Sequence, residues 1–234
     1  SLLERPLMDV WFRDANTGFA IGAYGTFLRT DDGGNTWEDR TYDIDNPDGF
    51  HYNAMAEVKG AGLFIAGEMG TLYRSPDFGD TWETLTDLPY GDLPRQRLDV
   101  YLPTDLKANA PVVVFYYGGS WRNGERADYR FVGQALASRG IITVIPDYRL
   151  YPEGRYPDFL RDSAKALAWT QANRSNWQSP AGPLFVMGHS AGAYNAAMLA
   201  LDPRWLAQEQ LAPEVLSGWI GLAGPYDFLP IINP

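Results

Sequence analysis

Hydrophobic and polar positions change rhythm partway along the chain, and the change separates two kinds of structure. Up to about residue 89 the apolar residues come in short alternating stretches, Phe27-Leu28-Arg29-Thr30 among them, separated by Asp, Gly and Asn. Alternation with a period of two between turn-forming residues predicts short strands joined by tight turns. Residues 96–103 still alternate, as an antiparallel strand does, but residues 111–117 are almost continuously β-branched or aromatic. That composition belongs to a strand buried on both faces. Residues 128–138 place Phe131, Val132, Ala135 and Leu136 on one helical face, with Gly140 as the C-terminal stop. Residues 141–145 read as another buried strand, and Leu160, Ala164, Leu167 and Ala168 as the apolar stripe of a second helix. Residues 184–187 form a strand that runs into a glycine-rich turn, small residues through Leu199 continue as a helix, and residues 219–222 read as a last strand. Strands alternating with helices predict a parallel sheet with right-handed crossovers.

The first part repeats itself after 45 residues. Gly22-Ala23-Tyr24-Gly25-Thr26-Phe27-Leu28-Arg29-Thr30 returns as Gly67-Glu68-Met69-Gly70-Thr71-Leu72-Tyr73-Arg74-Ser75, and the pattern S/T-x-D-x-G-x-T-W follows in both copies. In that pattern Asp32 and Asp77 supply carboxylates to turn amides, Gly34 and Gly79 tolerate positive φ, and Trp37 and Trp82 open the next strand beside the turn. A period of 40–50 residues with four short strands per unit suits β-propeller blades. The segment resembles the Asp-box blades of sialidase-type propellers, most closely the photosystem-assembly-factor-like group. The arginine cluster and nucleophilic tyrosine of a sialidase have no counterpart, so the six Asp-box residues are expected to be structural and to bind neither calcium nor sugar. Two blades are visible, whereas a closed propeller needs roughly four to eight.

The second part carries candidate chemistry. Gly188-His189-Ser190-Ala191-Gly192 has the G-x-S-x-G form of a nucleophile elbow, with a buried strand before it and a helix after. Its glycines permit a close strand-to-helix approach, which lifts the Ser190 hydroxyl above the carboxyl edge of the sheet. Some seventy residues upstream, Tyr117-Gly118-Gly119-Ser120-Trp121 ends a buried strand, and its glycines let backbone N–H groups approach a substrate oxygen. Acyl transfer needs such donors, because negative charge builds on the carbonyl oxygen in the transition state. The arrangement is similar to the His-Gly-Gly-x loop of hormone-sensitive-lipase-like esterases and kynurenine-formamidase-like hydrolases, with Tyr117 where histidine is usual. The likeness covers residues 90–228 and includes Asp147-Tyr148-Arg149-Leu150, whose aspartate and arginine brace the loops of those families. It implies an α/β-hydrolase fold with a mostly parallel sheet, Ser190 as nucleophile, and the amides of Gly118, Gly119 and Ala191 as the oxyanion hole.

Charge sharpens the division between the two parts. Residues 1–89 hold 16 acidic and 6 basic side chains, while residues 90–234 hold 13 of each. A net charge of −10 disfavours nucleic acid as a partner. There is no apolar run long enough to span a membrane and no signal-peptide pattern. The absence of cysteine removes disulfides and thiolate metal sites and leaves the compartment open, cytoplasmic if the hydrolase half decides. No metal or other cofactor is expected.

The triad order of this fold is serine, carboxylate, histidine, yet the two histidines are His51 and His189, neither of them after Ser190. Asp227 is a carboxylate in a loop position. The expectation is therefore two modules, residues 1–89 and 90–234, meeting near Leu88-Pro89-Tyr90-Gly91, each stopping short: an incomplete propeller and a hydrolase ending before its acid and histidine. A junction of two gene fragments and a fusion with a missing C-terminus both explain this. Three functional readings follow: a serine hydrolase of small carboxylic esters, catalytically incomplete as this chain; an arylformamidase-like amide hydrolase, suggested by Tyr116, Tyr117, Trp121 and Tyr194; and a propeller-type binding or assembly module with an inert hydrolase portion. An unpaired sheet edge at the last strand is expected to promote self-association.

Overall fold

The computed structural model describes residues 5–46, 49–58, 62–68, 71–103 and 105–227. Met69 and Gly70 of the second repeat, and Phe228 at the end of the hydrolase-like stretch, lie outside the described residues. Between Asp87 and Leu88 the chain divides into two compact units.

In the first unit each repeat forms one four-stranded antiparallel sheet with its strands in chain order. The first sheet comprises β1 (Leu7–Phe12), β2 (Gly18–Gly22), β3 (Phe27–Thr30) and β4 (Glu38–Asp39). The second comprises β5 (Tyr52–Val58), β6 (Gly62–Gly67), β7 (Leu72–Ser75) and β8 (Glu83–Thr84). Hydrophobic burial joins them through Phe19, Ile21, Phe27, Tyr52, Leu63 and Ile65, all within 1% of full burial. Trp82 meets Phe27 edge-on at 5.4 Å, and Phe78 stacks on Trp11 at 6.5 Å. The second repeat thus seats its turn aromatics on the first. The equivalent Trp37 remains 38% exposed, with Phe12 edge-on to its ring.

The second unit is a six-stranded sheet built from β9 (Leu88–Pro89), β10 (Arg97–Tyr101), β11 (Val112–Tyr116), β12 (Ile142–Pro146), β13 (Leu184–His189) and β14 (Gly218–Leu222). The spatial order is β14-β13-β11-β12-β10-β9. Strands β14, β13, β11 and β12 run parallel, and β10 and β9 add on antiparallel. Every residue of β11 and β12 is buried, as their unbroken apolar composition requires. Helices α1 (Arg130–Ala137), α2 (Asp158–Asn173), α3 (Ala191–Leu201) and α4 (Pro203–Ala207) supply the cover. Among the described residues β14 ends the sheet, leaving Trp219, Ile220 and Leu222 37–43% exposed.

One helical face differs from its sequence expectation. In α1 the buried positions are Gly133 and Ala137, while Phe131 is 64% exposed. Gly133 presses on the Tyr101 ring so closely that a methyl group there would stand 2.4 Å from it, and this contact sets the helix rotation. Apolarity alone ranks Phe131 above glycine; the approach distance reverses that order.

Candidate active site

Ser190 is the single residue between the end of β13 and the start of α3, with φ 53° and ψ −119°. A non-glycine residue in that region costs roughly 1–3 kcal/mol and persists only where its surroundings over-determine it. Here they do. A methyl on Gly188 would lie 2.1 Å from the carbonyl oxygen of Gly192, and one on Gly192 would lie 2.0 Å from that of Tyr116. Glycine at both places lets strand, helix and neighbouring β11 close around the turn. The Ser190 N–H donates to the Leu222 carbonyl at 2.8 Å, and its own carbonyl accepts from Ala193 and Tyr194 at 3.0 and 3.3 Å. Ala191 opens α3, so its N–H has no acceptor within the helix.

The glycine loop leaves the neighbouring strand beside this serine. A methyl built on Gly118 would be 3.0 Å from both Ser190 Cβ and His189 Nδ1, so the loop backbone lies directly against the elbow. Gly119 has φ 127°, and a side chain there would collide with the Asn123 carbonyl at 1.9 Å. Ser120 and Trp121 follow, also at positive φ, 53° and 56°. The Gly118 N–H points to the Tyr129 hydroxyl over a long 3.4 Å, and that hydroxyl is 3.4 Å from His189 Nδ1.

A buried polar network braces the loop from behind. Tyr117, placed where a histidine is usual, turns its side chain inward: its hydroxyl donates to Asp147 Oδ1 at 2.9 Å and accepts from Arg95 at 2.7 Å. Burial, reinforced by the Asp147 carboxylate, holds this phenol far above its ordinary pKa and keeps it a donor. Arg95 also holds the carbonyls of Gly124 and Tyr148, at 2.8 and 2.9 Å, and the Tyr148 hydroxyl donates to the Tyr117 carbonyl at 2.6 Å. Arg126 pairs with Asp147 and, at 2.9 Å, with Asp99. Asp147 and Arg149 both brace loops, but with other partners than each other: Arg149 clasps Asp162 with two contacts of 2.8 Å. Sequence reading missed Arg95, Arg126 and Asp162. Only Asp162 left a trace, a carboxylate two residues from Leu160 in an otherwise buried helix face.

His51 Nδ1 is 3.6 Å from Glu68, and its ring meets Tyr24 edge-on; Asp227 is exposed. In the first Asp box the Thr30 hydroxyl donates to Asp32 at 2.8 Å, while Asp32 accepts the Thr36 amide at 2.9 Å and hydroxyl at 2.6 Å. The second box repeats this with Ser75, Asp77 and Thr81. Gly34 and Gly79 have φ 91° and 110°, and their N–H groups donate to the Thr30 and Ser75 hydroxyls. The Thr36 hydroxyl, the Thr36 amide and the Thr30 hydroxyl bring the Asp32 carboxyl down to about 2.

Beside the elbow lies a cavity of about 670 Å³. Its wall includes Phe115, Gly118, Tyr129, Phe131, His189 and Leu222, which accounts for the exposure of Phe131. The cavity, the elbow and the glycine loop together offer a hydroxyl, backbone donors and an apolar recess, the parts that acyl transfer uses. Among the described residues no cluster of His, Asp and Glu could hold a metal ion. None of their helices is long and apolar enough to cross a membrane.

Comparison with known proteins agrees in both units. Residues 98–217 match the family described as BD-FAE, and residues 2–96 match the one described as photosynthesis system II assembly factor YCF48. A probable isoprenylcysteine alpha-carbonyl methylesterase of Oryza sativa is 34% identical over 153 residues, covering 64% of this chain and 37% of that protein. A kynurenine formamidase of Salmo salar is 29% identical over 150 residues, covering 64% and 49%. The structure of Thermogutta terrifontis esterase 2 phosphonylated by cyclosarin superposes with a TM-score of 0.52 at 23% identity, covering 58% of this chain and 55% of that one. The fold is shared, and the chain spans between a third and a half of the length of these curated relatives.

Proposed function

The chain belongs to the BD-FAE family through residues 98–217, and from that premise we propose that its second unit is a serine hydrolase of carboxylic esters with Ser190 as nucleophile. One observation carries the reading: Ser190 sits at φ 53° between β13 and α3 with the Gly118 backbone against its Cβ. Ser190 Oγ attacks the ester carbonyl, and the amides of Gly118, Gly119 and Ala191 receive the oxyanion. The carbonyl oxygen takes the place of the Tyr129 hydroxyl at the Gly118 N–H, where the present contact is long. Collapse of the tetrahedral intermediate expels the alcohol, and water then releases the acid from the acyl-enzyme.

The hydroxyl proton needs an acceptor. Among the described residues no hydrogen bond joins the Ser190 hydroxyl to a histidine, His189 Nδ1 facing Tyr129 instead, so the 234-residue chain by itself is expected to acylate slowly. In a serine protease, loss of the base costs about 10⁶ in turnover, while oxyanion stabilisation and binding retain about 10³–10⁴ over water. The test is labelling by a fluorophosphonate, with hydrolysis of short-chain nitrophenyl esters as the second readout. Wild type is expected to label slowly, at high probe concentration, and Ser190→Ala not at all; labelling that survives the substitution removes Ser190 from the role.

A second reading, an arylformamidase-like amide hydrolase, is favoured by the aromatic side chains around the loop and the likeness to kynurenine formamidase. Turnover of N-formylkynurenine against simple esters separates the two. For the first unit we propose propeller-type blades whose Asp32, Gly34, Trp37, Asp77, Gly79 and Trp82 are structural, and for β14 a self-association edge, supported by its exposed Trp219, Ile220 and Leu222.

A further inference from the structure

A second, smaller cavity of about 320 Å³ adjoins the glycine loop on residues that the proposed chemistry leaves unused. We propose that this recess, walled by Trp121, Arg122, Tyr151, Arg155, Tyr156 and Phe159, is a subsite for a carboxylate carried on a flat apolar group of the substrate. Its connection to hydrolysis rests on the serine-esterase reading, whereas the binding of the carboxylate does not.

The guanidinium carbons of Arg122 and Arg155 lie 5.4 and 5.8 Å from the centre of one ring, that of Tyr151. Apart from that ring neither guanidinium has a partner among the described residues. The carboxylate beside them is already committed: Asp158 faces Arg149 and Arg161 and accepts the Arg155 backbone N–H. Both arginines line the one recess, so an anion held in it can be met by two charge-assisted contacts. The guanidinium fork matches the planar carboxylate. The sixteen-residue helix α2 begins at Asp158 beside the recess, and the positive end of its dipole favours the same sign of ligand.

The shape of the recess suits a flat group. Trp121 stacks on Phe159 at 5.1 Å, and Tyr156 meets Phe159 edge-on at 6.0 Å, giving an aromatic floor beneath the two charges. A volume near the lower end of the roughly 300–1,000 Å³ of small-molecule sites suits one ring rather than a lipid chain. A phosphate dianion would call for more donors than two arginines.

Position ties the recess to the chemistry. Trp121 follows Gly119 by two residues, its indole N–H donates to Asn195 on α3 at 3.0 Å, and its carbonyl accepts the Tyr151 N–H at 2.8 Å. The same residues thus form the far side of the glycine loop and the near wall of the recess. A substrate whose reacting carbonyl rests on that loop can place an aryl carboxylate here.

Benzoate is the probe, titrated into the intact 234-residue chain and followed by tryptophan fluorescence and calorimetry, with benzamide and inorganic phosphate as controls. Benzoate is expected to bind with saturation, benzamide much less well. Arg122→Gln and Arg155→Gln, both at exposed positions, are each expected to weaken benzoate by about tenfold, the scale of one hydrogen bond to a charged group. Ser190→Ala should bind benzoate as wild type does, so loss of the nucleophile and loss of the subsite give different results. Where turnover is measurable, the arginine variants should raise KM for 4-carboxyphenyl acetate and leave phenyl acetate unchanged. Equal binding of benzamide, unaltered benzoate affinity in the double variant, or no saturable benzoate binding overturns the proposal. Tighter binding of phosphate than of benzoate overturns the carboxylate assignment.

Discussion

The two units solve the same problem, holding a tight turn at the end of a strand, by opposite means. In each Asp box the hydroxyl, the carboxylate and the amides they serve lie within six residues of one another, Thr30 to Thr36 and Ser75 to Thr81. At the elbow the turn closes because distant backbone presses on it, the Tyr116 carbonyl against Gly192 and the Gly118 loop against Ser190. The network behind the glycine loop is equally non-local, with Asp147 holding residues 21 and 30 positions away. A local turn can be copied along a chain as a cassette. An elbow of this kind exists only when the whole sheet does.

That contrast can be broken, and the largest effect is expected at its most crowded point. Gly192→Val would drive a side chain into the Tyr116 and Tyr117 carbonyls; the second unit should lose cooperative unfolding by circular dichroism, or at least several kcal/mol of stability, the overpacking cost of about 1–3 kcal/mol being exceeded because backbone cannot move aside. Next comes Asp147→Ala, which strips the carboxylate from Arg126 and the acceptor from Tyr117. A loss of about 3 kcal/mol is expected in urea titrations, as for one partner removed from a buried pair. Fluorophosphonate labelling of Ser190 should fall with it, because the glycine loop loses its brace.

Smaller changes test the local half of the comparison. Asp77→Ala should cost about 1 kcal/mol, the low end for unpaired turn donors near solvent, and speed hydrogen exchange at the amides of Gly79 and Thr81 while leaving those of Gly34 and Thr36 unchanged. Calcium or sugar binding lost without that local exchange would contradict a structural role. The smallest effect is one of pH. The Asp32 carboxyl is lowered from 3.8 to about 2 by its Thr36 and Thr30 bonds. A depressed carboxyl stabilises the fold fully above its unfolded pKa and loses that contribution as pH falls through the folded one. Exchange at Thr36 should therefore quicken between about pH 4 and pH 2, and Asp32→Asn should flatten that dependence.

The same division decides what the amino-acid sequence discloses. The repeat was legible because its hydrogen-bond partners are near neighbours in the chain, so the motif spells out the whole device. The elbow and glycine loop were legible because only glycine fits where backbones approach within contact distance. Partnerships made in space left no such mark: Asp147 takes Arg126 and Arg95 rather than Arg149, whose carboxylate is Asp162. The face of α1 was misjudged for a related reason, since Gly133 is buried by the shape of Tyr101 and Phe131 is drawn out to a cavity wall.

The segment between β12 and α2 carries Tyr151, Arg155 and Tyr156, three walls of the proposed carboxylate recess, on eleven residues that belong to neither element. Loop-closure entropy grows only logarithmically, so doubling such a connection costs about 0.6 kcal/mol. The parts proposed to perform the chemistry are locked between backbones and tolerate almost no drift. The parts that would choose the substrate hang from the later half of this connection, from Tyr151 on, whose exposed side chains can be exchanged at little cost to the fold, whereas Asp147, Tyr148 and Arg149 at its start are fixed by their hydrogen bonds. Lineages sharing this scaffold are thus free to diversify in taste while the proposed reactive centre stands still, and variation among them should concentrate at residues 151–157 rather than at Asp147, Tyr148 and Arg149, whose side chains hold the loops.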